Sequence, residues 1–128
     1  MDSSDSALQA ARVAGDLARA VETRELQILV AQERVAESIT QNSLNADLDK
    51  TQDILQRAED AVGRVQAHVY SELVEGQITE TVITTAKTRR SDLIIMGAEG
   101  MGRLTGALLG INGQRVVSES PCPVLIVK

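Results

Sequence analysis

Residues 92–113 read Asp92-Leu93-Ile94-Ile95-Met96-Gly97-Ala98-Glu99-Gly100-Met101-Gly102-Arg103-Leu104-Thr105-Gly106-Ala107-Leu108-Leu109-Gly110-Ile111-Asn112-Gly113. An apolar run of strand type leads into 18 residues, Met96 to Gly113, that hold six glycines. A strand, a glycine-rich turn and a helix N-terminus together make a recurrent anion site. The helix start offers unpaired N–H groups and the positive end of its dipole. In open α/β sheets, ligands sit beyond the C-terminal strand ends. The spacing is not the dinucleotide fingerprint, and no Gly-Lys-Ser/Thr of a P-loop follows.

Working outward, Ser3-Ser4-Asp5-Ser6 caps a helix over about 5–21, with Leu8, Ala11, Ala14, Leu17, Ala18 and Val21 at helical spacing. Leu26 to Ala31 suits a buried parallel strand. Residues 32–43 are polar and read as a loop with some helical turn. Leu44, Leu48, Leu55, Ala58 and Val62 mark an amphipathic helix that stops at Gly63. Alternation of Val65, Ala67 and Val69 with Gln66, His68 and Tyr70 predicts a half-exposed strand at a sheet edge. Gly76 is a break, and Ile78, Val82, Ile83 and Ala86 open another helix, closed by Lys87, Arg89 and Arg90. Asp92 to Met96 is the strongest strand signal. A helix over about 111–119, stopped by Pro121 and Pro123, and a strand over Val124 to Val127 complete the chain. Such alternation means α/β with a parallel sheet and right-handed crossovers. The series opens on a helix with no strand before it.

A length of 128 residues fits one domain. The apolar runs of four or five residues are too short for a membrane span or a signal-peptide core, which makes the cytoplasm the default compartment. One cysteine, Cys122, excludes an internal disulfide and a multi-cysteine metal site. One histidine, His68, argues against a histidine metal centre or a catalytic triad. A net charge of -5 argues against general nucleic-acid binding. Tyr70 is the one aromatic residue, so a base could be held only between aliphatic groups and read by backbone.

The run from Asp92 to Gly97, then Gly100, nine residues and Gly110, and the closing Pro121-Cys122-Pro123-Val124-Leu125-Ile126-Val127 resemble the C-terminal half of a universal stress protein. The family pattern there is Gly-x2-Gly-x9-Gly-Ser/Thr. Met1 to Leu8 is similar to the Asp-containing turn and first helix of that family. The resemblance implies an open parallel sheet of Rossmann-like type, akin to the adenine-nucleotide α-hydrolases, in spatial order 3-2-1-4-5. It also implies one domain over 1–128 that lacks the first, central strand at its N-terminal side. Such a gap would leave the neighbouring strands with unpaired backbone groups. A late start, an internal methionine at Met1 and another segment in the slot are the three readings of it.

The resemblance implies a site for ATP or AMP, with Mg2+. Asp2 matches the ribose-side aspartate and Ala31 the small apolar position beside adenine. Met96, Gly97, Gly100 and Gly110 match the phosphate loop, and Ile111, Asn112 and Gly113 supply backbone donors behind it. Ile111 stands where the family has a Ser or Thr hydroxyl, and Glu99 adds negative charge to the loop. A lost hydrogen bond to a charged group costs about 1.5–3 kcal/mol, roughly one to two decades in affinity. Arg103 could offset part of that.

Each residue has a plainer reading. Asp2 is a loop acid or a cap, and His68 an edge-strand side chain. Cys122 is a small buried hydrophobe, Asp47, Asp49 and Asp53 a solvated helix face, and Arg89-Arg90 a helix C-terminal charge pair. Val124 to Val127 is apolar throughout at the sheet edge, which predicts a homodimer through that strand. No general base, nucleophile or metal cluster converges on the loop, so turnover is not expected, although a weak ATPase is a third reading. A nucleotide-binding stress-response module that regulates or signals as a dimer is the first reading. A nucleotide-free module that dimerises and binds partner proteins is the second.

Overall fold

The computed structural model describes residues 5–32, 41–75, 78–98 and 111–128. Helices and strands alternate: α1 (Asp5–Val21), β1 (Glu25–Gln32), α2 (Gln41–Val62), β2 (His68–Glu75), α3 (Ile78–Thr88), β3 (Ile94–Gly97), α4 (Ile111–Glu119) and β4 (Val124–Val127). The class is α/β with parallel strands, as the alternation predicts. Three of the predicted elements, α1, α4 and β4, keep their limits.

Helix ends follow local chemistry. Gly63, at φ 74°, terminates α2 in the left-handed conformation that glycine adopts without strain, and its N–H reaches Glu59 O at 3.1 Å. Arg19 of α1 donates to the last carbonyls of the same helix region, Val62 O at 2.8 Å and Arg64 O at 3.0 Å. A cation there also suits the negative end of the α2 dipole. The two helices approach closely at Gly15, where a Cβ would lie 2.1 Å from Val62 O. Arg90, at φ 52°, ends the turn after α3, and Ser91 N–H bonds back to Ala86 O at 2.9 Å.

The strands form two parallel pairs. β1 runs beside β2 in register Glu25↔His68 to Gln32↔Glu75, and β3 beside β4 in register Ile94↔Val124 to Gly97↔Val127. Ala98 N–H to Val127 O at 2.8 Å extends the second ladder by one rung. α1 packs on α2 and over β3 and β4, while α2 covers β1 and β2. α3 packs on α4, and right-handed crossovers put this pair on the opposite face. Fully buried Val116 of α4 sits against Met96 of β3, with Ile78, Val82, Ile94, Val124 and Ile126 around them. The two pairs are separate sheets, and β1 and β3 line the same cavities between them. Among the described residues, no strand pairs with the facing edges of β1 and β3.

Several expectations shift. The edge strand β2 begins at His68, three residues after the predicted start, and continues through Ser71 and Glu72, because pairing with eight residues of β1 sets its length. β3 begins at Ile94 rather than Asp92, where β4 first offers a partner. α2 reaches back to Gln41, into the stretch read as loop. Cys122 is half-buried rather than buried, in a turn where its N–H donates to Ser120 Oγ at 3.2 Å.

Candidate functional site

The sequence points to the C-terminal ends of the strands, and there β3 runs out at Gly97. α1 begins directly against it. A Cβ on Gly97 would lie 2.6 Å from Ala7 N and 2.7 Å from Ser6 C, both main-chain atoms. Only glycine accommodates that approach, so the side-chain space at Gly97 belongs to α1. On the other face, α4 lies in the crossover from β3 to the parallel β4, so its N-terminus also points to this edge. The first N–H groups of α4, at Ile111, Asn112 and Gly113, have no acceptor within the helix. Two helix N-termini thus flank the end of one strand, each with the positive end of its dipole toward it.

The predicted site residues fall into three groups. Met96, Gly97 and Gly113 are brought to this edge and are buried. Met96 points its side chain into the core against Val116. Ala31 lies near the end of β1, paired with Val74, and Ile111 and Asn112 open α4. Asp2, Gly100 and Gly110, with Glu99 and Arg103, lie outside the described residues.

The nearest cation on α4 is already committed. Arg115 donates from Nη2 to Glu80 of α3 and from Nε to Glu119, the latter at 2.5 Å. The hydrogen bond to Glu80, then that to Glu119, raises the guanidinium pKa. Sequence reading missed this triad. Arg115 and Glu119 are visible at the i,i+4 spacing of a helix pair, but Glu80 arrives through the packing of α3 on α4. At the opposite edge, His68 stacks on Tyr70 with centroids 4.5 Å apart, and Arg89 covers the Tyr70 ring at 4.4 Å. His68 is exposed there, as an edge-strand side chain should be. Asp53 pairs with Arg57 at 3.2 Å on an exposed face of α2. Among the described residues, no group of three or more His, Cys, Asp or Glu could hold a metal, and no helix is long and apolar enough to cross a membrane.

Comparison with known proteins places this arrangement. The model of the universal stress protein family matches residues 1–128. A universal stress protein of Thermus aquaticus, named for its position 3' of a QAH/OAS sulfhydrylase, is 33% identical over 131 residues, covering 99% of this chain and 93% of its own length. Among solved structures, the universal stress protein UspA from Lactobacillus plantarum shares the fold at TM-score 0.80 and 24% identity, covering 100% of this chain and 93% of the other. A universal stress protein solved in complex with cAMP is 29% identical at TM-score 0.73, covering 100% of this chain and 92% of its own.

Proposed function

The chain belongs to the universal stress protein family, and from that premise we propose that it is a regulatory module of the stress response that binds an adenine nucleotide weakly and acts as a dimer. The likeness to a family member solved with cAMP, over the whole of this chain, carries the reading. The geometry supports it in part. The main-chain N–H groups that open α4 suit phosphate oxygens without any side-chain hydroxyl. They can receive a nucleotide even where Ile111 replaces Ser or Thr. At Gly97 any such contact is made by main chain alone, because the backbone of α1 leaves no room for a side chain. Arg115, held by Glu80 and Glu119, adds no free cation. Affinity therefore rests on backbone donors and on aliphatic contacts to the base. Mg2+ would enter with the phosphates of ATP. No catalysis is assigned.

Titration calorimetry with ATP and with AMP, each with and without Mg2+, tests the reading. Saturable heat supports it, and no heat at millimolar nucleotide overturns it. Ile111→Ser restores the missing hydroxyl and is expected to tighten ATP binding about tenfold. Unchanged affinity would mean that α4 does not hold the phosphates.

The committed Arg115 favours a second reading, a nucleotide-free module that works through protein contacts. Both readings share the dimer. β4 lies at the end of the strand order, and Leu125 is 40% exposed on it. An apolar edge of that kind invites pairing with a second copy. Sedimentation of Leu125→Lys is expected to show monomer; an undisturbed dimer would move the interface elsewhere.

A further inference from the structure

Arg115 lies about one turn after the N–H groups that open α4. It follows Ile111 by four residues and Asn112 by three, so it shares their helix face. Long side chains in a helix lean toward its N-terminus, a direction that would carry the guanidinium toward those N–H groups. In the structure its donors are spent elsewhere. Nε donates to Glu119, one turn further on, at 2.5 Å, and Nη2 donates to Glu80 in the first turn of α3.

Both acceptors are anions, and a phosphate is another. The guanidinium fork meets a phosphate as well as it meets a carboxylate, through two parallel N–H···O bonds. What holds Arg115 is open to water: its side chain is 39% exposed, that of Glu80 56% and that of Glu119 49%. Exposed ion pairs of this kind are individually weak and are screened by salt. Nor do the helices need them as a tie. Ile78 and Val82 of α3 already pack on the cluster around Val116 of α4, so apolar contact joins the two helices without the triad. Glu80 and Glu119 therefore hold Arg115 by charge alone, and a change of charge can release it.

We propose that Glu80 and Glu119 act as an internal competitor for phosphate: they occupy Arg115 and so keep the affinity of the α4 site for anionic ligands low. The inference rests on the nucleotide reading and names what regulates that site. Neither carboxylate needs to touch the ligand; both are positioning residues that act through Arg115. Removal of their charge frees the guanidinium to meet a phosphate beside the N–H groups of Ile111, Asn112 and Gly113. The gain follows the phosphates, so ATP gains more than AMP, and adenosine gains nothing.

Titration calorimetry on the full chain with ATP and with adenosine tests this. Glu80→Gln with Glu119→Gln is expected to bind ATP about tenfold tighter than the original chain and adenosine no tighter. Addition of Arg115→Gln should cancel the gain. Arg115→Gln alone should change ATP affinity about twofold or less, because that guanidinium is already occupied. As a control, Asp53→Asn with Asp60→Asn removes the same charge from α2, on the other face, and should bring almost no gain. A gain that survives Arg115→Gln, an equal gain from the α2 pair, or an equal gain for adenosine overturns the inference. So does ATP binding that is no tighter in the double variant, and that outcome leaves the nucleotide reading standing. Absence of ATP heat from every form of the chain overturns both. If the double variant does not fold, Glu80→Gln alone carries the test, with an expected gain of about threefold that Arg115→Gln again cancels.

Discussion

The two sides of β3 make opposite use of similar residues. On one side β4 pairs with it rung by rung, and Met96, Val116, Ile94, Val124 and Ile126 close a core around Val116, which has no exposed surface. On the other side, Ile28, Ile95 and the α1 alanines are just as apolar but surround open space, which Ile94 and Met96 also border. The difference lies in partners, not in composition. A strand edge with a neighbour lies against core; an edge without one among the described residues borders open space.

The largest expected effect comes from Gly97, where the backbone of α1 meets the end of β3. Gly97→Ala forces the main chain of α1 away from β3 and should lower unfolding free energy by about 3 kcal/mol in urea titration. A stable variant with altered nucleotide affinity would instead return Gly97 to a phosphate loop. Next is Val116→Ala on the filled side, expected to lose about 2 kcal/mol through transfer and cavity terms together. Ile28→Ala removes more carbon atoms yet should lose only about 1 kcal/mol, because the void beside it already exists. An Ile28 loss equal to or above that of Val116 would mean the two sides are packed alike.

Much of the fold was legible because it is written in local patterns. The i, i+3, i+4 spacing gave α1 its limits, the glycine at 63 marked the end of α2, and Asp92 to Met96 located β3 within two residues. What escaped depends on contacts distant in sequence. β2 carries Ser71 and Glu72, which look like turn residues until β1 is laid beside them. Gly97 reads as a turn glycine, but its neighbour is Ala7, ninety residues back along the chain. Gly15 was not singled out, since nothing near it announces the carbonyl of Val62. The candidate site was legible as a place, the end of β3 before α4. It was not legible as a donor set, because Glu80 takes Arg115 through tertiary packing alone.

The contrast across β3 can be read directly by native-state hydrogen exchange on the free chain. In parallel strands, amides alternate between the two edges. Amides of β1 and β3 that face β2 and β4 should be protected, and those that face the space between β1 and β3 should exchange faster, giving an alternating pattern. Uniform protection along both strands would mean that the facing edges are already paired and would contradict the account.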